Sequence, residues 1–543
     1  MTRMTGGAAV VEMLRRHGID TLFALPGVQN DALFAALYDA REAIRVVHPR
    51  HEQGAAYMAL GYARASGKVA AYAVVPGPGF LNTTAALSTA YATGTPVLCL
   101  CGQIPSAMIG RGFGMLHEIP DQLAILKGLT KWAARIEHPA HVGARMNEAF
   151  RELLGGRQRP AGIEVPLDVL ALESELSLPN PAEAETPPEP DPALVAKAAE
   201  LLGQARRPLI FVGGGAMLAG EALRAVAEML EAPVIANCLG RGILDDRHDL
   251  AHTALSGYAL WPEADVVLAV GTRLHHPQTL WGLDEAIKIV RIDIDPAEIA
   301  RFAKPAVGIV ADANATLVAL HGALQRQNRK RTRQRDELAA LKKRLAADCA
   351  RLSPQVEYLA AIRAELPEDG ILVDDLTQVG YVARLAYPAY RPRTFINSGY
   401  QGTLGYGFPT ALGAKLAKPG SCVVSISGDG GFLYNMQELA SAALHGIDIV
   451  AVVFADGAFG NVRRIQKEDY GNRLIAVELK NPQFAKMAET FGLAGVRTAS
   501  PAGLKKELNA ALKRRGTTLI EVPVGEMPDP WGLIYRARLR GKA

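Results

Sequence analysis

Apolar runs of four to seven residues recur along this chain, each ending in a turn residue. In the first third, 69–75 runs into Pro76-Gly77-Pro78-Gly79, and 96–101 forms a second run. In the middle, 208–212 ends in Gly213-Gly214-Gly215, 265–270 in Gly271-Thr272, and 289–294 in Asp295-Pro296. In the last third, 423–426 ends in Ser427-Gly428-Asp429-Gly430 and 449–454 in Ala455-Asp456-Gly457. Short apolar runs separated by helical stretches predict strands buried on both faces of parallel sheets. The expected fold is α/β, with three open parallel-sheet domains that bind ligands at the carboxyl ends of their strands.

Proline and charge place the boundaries. Pro179, Pro181, Pro187, Pro188, Pro190 and Pro192 crowd the segment 177–192. Proline supplies no N–H to helix or sheet, so this segment is expected to be an extended linker. The stretch 326–356 opens on Arg326, Arg329, Lys330, Arg331, Arg333 and Arg335 and continues as a charged helical pattern. No aromatic residue interleaves the basic run, which favours a solvated linker helix over a nucleic-acid patch. The expected domains are therefore 1–176, 193–325 and 357–543.

Composition narrows the class. Lys plus Arg number 59 and Asp plus Glu 55, and a net charge of +4 makes no general field for nucleic acid or an anionic membrane. The longest apolar runs are strand-length, far below the ~20 residues of a membrane span. The amino terminus shows no signal-peptide pattern, so the chain reads as a cytoplasmic enzyme. Five cysteines, at 99, 101, 238, 349 and 422, have no paired metal-ligand spacing, and their odd number argues against a disulfide framework.

The chemistry concentrates in the last third. Gly428-Asp429-Gly430-Gly431 follows a strand, and 432–445 reads as a helix with Leu433, Met436, Leu439, Ala440 and Ala443 on its apolar face. A second strand ends at Asp456, 27 residues after Asp429. A crossover of this kind can set two parallel strand ends side by side. Two carboxylates then share one crevice with glycine amides at a helix N-terminus. Carboxylate oxygens suit Mg2+, and the amides suit a diphosphate.

In this motif the chain resembles the thiamine-diphosphate (ThDP) enzymes of the acetolactate synthase-like type. The likeness extends along most of the chain. His51-Glu52-Gln53-Gly54-Ala55-Ala56 is similar to the catalytic glutamate segment of that family. Pro76-Gly77-Pro78-Gly79 with Asn82 is similar to its first glycine turn, and Gly94-Thr95-Pro96 through Gly102-Gln103 to the strand that follows. Gly402-Thr403-Leu404-Gly405-Tyr406-Gly407-Phe408-Pro409 resembles the stretch that cradles the aminopyrimidine.

The resemblance implies a pyrimidine-binding first domain, a central nucleotide-fold domain and a diphosphate-binding third domain. It implies Glu52 as the carboxylate at aminopyrimidine N1′, Leu404 as the wedge between the cofactor rings, and the Gly402 carbonyl as acceptor for the 4′-amino group. Asp429, Asp456 and the Ala458 carbonyl become the Mg2+ ligands. Thr377 and Gln378 become a diphosphate-contacting loop. Pro26, Gly79, Asn82, Thr403, Gly428, Gly430, Gly431, Phe459, Gly460 and Asn461 complete the cofactor contacts. Gln103 and His117 flank the thiazolium, where His117 can move protons near neutral pH.

Three departures bear on function. Asp456 stands where the family usually has Asn. Leu274-His275-His276-Pro277 replaces an acidic pair common in flavin-binding members, which leaves FAD or another adenine nucleotide open in the central domain; the histidines read as surface residues. Arg463-Arg464-Ile465-Gln466 lacks the Trp of biosynthetic acetolactate synthases, although the arginines can address a carboxylate or phosphate. The expected function is ThDP- and Mg2+-dependent cleavage or formation of a C–C bond on a 2-oxoacid. The rivals are a lyase acting on a 2-hydroxyacyl-CoA or acyloin, and an inactive ThDP-fold binding protein. A homodimer or homotetramer with sites shared between subunits is expected, its partners otherwise being small 2-oxoacid or acyl-CoA substrates.

Overall fold

The computed structural model describes residues 1–183, 185–331 and 335–541. Its three main sheets each contain six strands, all parallel. The first runs Arg45–Val47, Thr21–Ala24, Ala70–Val74, Val97–Gln103, Ala161–Pro166, Trp132–Arg135. The central sheet runs Ala251–His252, Val234–Ala236, Leu209–Val212, Val266–Val270, Lys288–Asp293, Val307–Val310. The third runs Phe395–Ile396, Ile371–Asp374, Val423–Gly428, Val450–Ala455, Thr518–Pro523, Ala494–Arg497. Every apolar run singled out in the sequence overlaps one of these strands, with ends shifted by a residue or two, because strands covered on both faces favour apolar side chains. An antiparallel pair, Thr2–Thr5 with Glu173–Leu176, also ties the two ends of the first unit together. Among the described residues no helix is long and apolar enough to cross a membrane.

The linker segments are docked rather than free. The Arg16 guanidinium donates to the carbonyls of Leu178 and Pro179, and Asn147 donates to that of Asn180. The basic stretch leads into the helix Arg335–Ala350, whose Leu338, Leu341 and Leu345 are buried. Arg333 lies outside the described residues.

Four helices position the site: α1 (Glu52–Ser66), α2 (Gly407–Ala417), α3 (Glu438–His445) and α4 (Gly460–Glu468). The single helix expected over 432–445 is instead two, Asp429–Phe432 and α3. Buried Asn435 makes the break. Its side chain donates to the Gly405 carbonyl at 2.7 Å, and its own carbonyl accepts from Glu438 N. The buried face of α3 is Glu438, Leu439, Ser441 and Ala442, so Ala443, expected on the apolar face, is exposed.

Helices α1 and α2 join the first unit to the third. A Cβ on Gly61 would lie 1.9 Å from the Thr410 carbonyl oxygen, and one on Gly413 would lie 1.9 Å from that of Met58. Only glycine lets the two backbones approach so closely. Tyr57, Met58, Phe408 and Leu412 belong to one buried core around this crossing.

A buried polar knot then fixes the turn before α2. Asp375 Oδ2 accepts the N–H groups of Gly405 (3.1 Å) and Gly407 (3.2 Å), and its Oδ1 accepts Leu376 N at 2.7 Å. Beside it, Asp374 pairs with Arg384 at 3.0 Å, and the Tyr406 hydroxyl donates to the Asp374 carbonyl. Burial pushes the Asp375 carboxyl up to about 7, against the backbone donors that hold it down.

Two predictions follow from this packing. Gly61→Ala and Gly413→Ala should each destabilise the protein by about 1–3 kcal/mol, measured in urea unfolding. Gly420→Ala, where a methyl meets nothing within 4 Å, should leave the midpoint in place. For Asp375 the folded pKa is raised, so its contribution to stability is full below about pH 4 and lost as pH rises through about 7. Asp375→Asn stays neutral throughout. The melting temperature of the variant relative to wild type should therefore rise between about pH 5 and pH 8. A difference that does not change with pH would refute the assignment.

Candidate active site

In the third sheet the chain order reverses between Ile371–Asp374 and Val423–Gly428, and a crevice opens at such a switch point. Thr377 starts the helix Gln378–Ala386 on one side of it, 3.5 Å from where a Gly428 Cβ would lie. Gly428 sits opposite Phe454 across the ladder, so Asp429 and Asp456 leave neighbouring strand ends. Asp429 is buried; its Oδ2 accepts Gly457 N and Asn481 Nδ2, both at 2.7 Å. Asp456 accepts Gln378 Nε2 at 2.7 Å and Ala458 N at 3.3 Å. Burial, then the negative charge of Asp429, push the Asp456 carboxyl up to about 6.

Two facing carboxylates that repel one another are a donor set suited to a hard cation. Asn481 Oδ1 beside them is buried without a partner. Among the described residues no three His, Cys, Asp or Glu side chains are placed to hold a metal, so further ligands would be an amide or backbone oxygen, a water or a phosphate. Buried Ala458 offers one two residues beyond Asp456.

Glycine brings the surrounding loops together. A Cβ on Gly430 would lie 2.7 Å from the Phe459 ring, and one on Gly460 would lie 2.7 Å from Asp456 Oδ2. Gly431, buried, packs against Gly405 N. Asn461, at the start of α4, accepts Trp531 Nε1 at 2.7 Å. Gly402 and Gly405 hold positive φ of 58° and 79° on either side of Thr403 and half-buried Leu404. Thr403 Oγ1 lies 3.3 Å from Thr89 Oγ1 of the first unit.

The second cluster belongs to the first unit. Glu52 opens α1, and its Oε2 accepts Asn82 Nδ2 at 2.9 Å. A Cβ on Gly79 would lie 3.5 Å from Glu52 Oε1. Pro26 is exposed at the end of the adjacent strand, next to Gly27. His117 adopts a positive φ of 70°, with Nδ1 3.1 Å from Gln29 Oε1. Gln103, 4% exposed, is committed at both ends of its amide, to Glu164 (3.2 Å) and to Ile104 N (2.8 Å).

Glu52, Gly79 and Asn82 thus form one group, and Thr377, Gln378, 428–431 and 456–461 another. Among the described residues no hydrogen bond joins the two groups directly. Arg463 and Arg464 each face carboxylates of the chain. The first pairs with Glu478 at 3.4 Å, the second with Glu468 at 2.5 Å and Asp529 at 3.8 Å. Sequence reasoning missed Gln29, Asp375, Glu438 and Asn481, which sit outside any recognisable spacing and acquire partners only on folding.

A cavity of about 1340 Å³ lies between the central sheet and its neighbours, lined by Gly214, Gly215, Arg273, Asp293, Tyr400 and Gly402 among others. A Cβ on Gly213 would lie 2.5 Å from the Gly271 carbonyl oxygen, so the strand-end turns close on one another. His275 and His276 are exposed residues on its wall.

Comparison with known proteins agrees with this geometry. The model described as "Thiamine pyrophosphate enzyme, N-terminal TPP binding domain" matches 4–125, the "central domain" model 195–320, and the "C-terminal TPP binding domain" model 375–522. "Probable 2-ketoarginine decarboxylase" of Pseudomonas aeruginosa is 36% identical over 532 residues, covering 96% of this chain and 94% of that protein. "Probable acetolactate synthase large subunit" of Methanocaldococcus jannaschii is 34% identical over 551 residues, with 96% and 92% covered. "Acetolactate synthase isozyme 1 large subunit" of Escherichia coli is 30% identical over 537 residues, with 96% and 94% covered. With all three sheets matched in order, and relatives aligned along nearly their whole length, the chain belongs to the thiamine pyrophosphate enzymes and is an acetolactate synthase-like member of that family.

Proposed function

We propose that this protein is a ThDP- and Mg2+-dependent 2-oxoacid decarboxylase, with carboligation as the second reading. The pairing of Asp429 with Asp456 at adjacent strand ends, beside the amides of 430–431, carries the proposal. Asp429, Asp456 and the Ala458 carbonyl would hold Mg2+. Gln378 keeps Asp456 in place, as Asn481 does Asp429. When bound, ThDP supplies the acidic carbon that adds to the 2-keto carbonyl and the electron sink for loss of CO2.

The residues of the chain orient and protonate. Glu52 would hold a proton at aminopyrimidine N1′, with Asn82 fixing its carboxylate. The Gly402 carbonyl would accept from the 4′-amino group, and Leu404 would press the rings together. His117, set by Gln29, would deliver or remove a proton near the substrate. Gln103 would shape that wall through Glu164 rather than touch the substrate, since its amide is already engaged.

Decarboxylation is favoured over acetolactate formation by two observations. Ile465 stands in place of a Trp, and both neighbouring arginines already face carboxylates of this chain, with which an acceptor ketoacid would have to compete. The relative named for 2-ketoarginine decarboxylation supports the same choice. By its volume the central cavity would admit FAD or another adenine nucleotide, with the acidic pair common in flavin-binding members replaced here by His275-His276.

The assembly we propose is a homodimer, or a tetramer of two dimers, whose sites pair the Glu52 group of one subunit with the Asp429 group of another. Within one chain the two groups share no hydrogen bond among the described residues, and Phe113, Leu116, Tyr434, Tyr470 and Ile475 are exposed, which supports this reading. Covering the two groups in such an assembly would keep water from a reactive carbanion.

Protein loaded with ThDP and Mg2+ should release CO2 from members of a 2-oxoacid panel, without need of CoA. Asp429→Ala should weaken ThDP retention by about 100-fold or more, and Glu52→Gln should bind ThDP yet lose about 100-fold or more in turnover. Unchanged cofactor affinity in Asp429→Ala would remove the metal assignment; activity only with CoA would favour the acyl-CoA lyase. Mixing the two inactive chains should restore about a quarter of wild-type activity, because half the dimers are mixed and each holds one intact site. No recovery despite demonstrated subunit exchange would mean that each chain builds its own site.

A further inference from the structure

Glu438 carries a carboxyl group closed off from water, and among the described residues no Lys, Arg or His forms an ion pair with it, the Arg50 charge acting only from a distance. It is 0% exposed at the start of α3. Its two oxygens accept Arg50 N at 3.2 and 3.1 Å, and Oε1 accepts His51 N at 3.1 Å. Ser441 Oγ donates to Oε2 at 2.5 Å. Those two peptide N–H groups immediately precede Glu52, which opens α1. An apolar side chain at 438 would take the acceptor from both of these part-buried donors.

Two further contacts make the arrangement specific. A Cβ on Gly54 would lie 2.4 Å from Glu438 Oε1, so the carboxylate fills the space that any larger residue at 54 would need. On its other side Glu438 N donates to the carbonyl of Asn435, whose side chain holds the Gly405 carbonyl at 2.7 Å. One short chain of hydrogen bonds therefore runs from the turn of Leu404 to the backbone that carries Glu52.

We propose that Glu438 is a positioning residue for Glu52: by holding the Arg50 and His51 amides it sets the aim of the Glu52 carboxylate. This rests on Glu52 acting at the aminopyrimidine. A carboxylate that must meet one ring nitrogen loses rate steeply when it is displaced by a fraction of an ångström to an ångström. Glutamine is nearly isosteric, and its amide oxygen can accept the same two N–H bonds, so the negative charge itself is not required.

The test is hydrogen–deuterium exchange at C2 of enzyme-bound ThDP, at saturating ThDP and Mg2+, with the Kd for ThDP and the KM for a 2-oxoacid measured in parallel. Glu438→Ala should slow exchange and kcat by about tenfold or more while Kd and KM move less than about threefold. Glu438→Gln should recover most of that loss. Gly54→Ala, which pushes the carboxylate off its donors from the other side, should slow exchange likewise and serves if Glu438→Ala does not fold. Exchange within about threefold of wild type in both Glu438→Ala and Gly54→Ala, with Glu52→Gln slow, would overturn the proposal. So would losses of Kd and KM in proportion to kcat, which mark a structural role alone. Wild-type exchange in Glu52→Gln would instead remove the assignment of Glu52, and the positioning role with it.

Discussion

The crossing of α1 and α2 is the contact on which the remaining structure depends. Gly61 and Gly413 let each backbone rest on a carbonyl of the other helix, and no side chain fits between them. That approach fuses the cores of the first and third sheets into one, through Tyr57, Met58, Phe408 and Leu412. Helix α1 begins with Glu52 and α2 follows the turn of Gly402 and Leu404. This close packing therefore sits directly behind residues that need a fixed direction.

Buried polar groups extend this rigidity outward. Asp375 gathers the amides of Gly405 and Gly407, Asn435 holds the Gly405 carbonyl, and Glu438 holds the amides before Glu52. Each is a carboxylate or amide inside the protein whose cost of burial is offset by backbone donors or acceptors that no other group reaches. Asp429 and Asp456 differ in kind. They face one another with like charge, an arrangement suited to a cation rather than to structure.

The central unit contributes a different surface. Its strand ends close on one another through Gly213, Gly215 and Gly271, and the cavity above them reaches Tyr400 and Gly402 of the third unit. The Arg273 guanidinium stacks on the Tyr400 ring at 4.6 Å. A ligand in that cavity would lie against the same turn that the proposed active site uses.

The parallel sheets were legible in the sequence because strands covered on both faces must be apolar throughout, and their ends must turn. The neighbouring ends of Asp429 and Asp456 followed from the crossover length, and the family from motifs that glycine and carboxylate chemistry makes recognisable. The break at Asn435 was not legible, since 432–445 keeps a helical period and only a partner some thirty residues earlier in the chain, Gly405, competes for the Asn435 amide. Arg464 meets Glu468 one helical turn on, a pairing the spacing carries, whereas Glu478 and Asp529 reach the two arginines from segments beyond α4. Glu438 stands in no motif of the sequence. Only the tertiary structure set it beneath Arg50 and His51, because hydrogen bonds between segments nearly four hundred residues apart leave no periodic trace along the chain.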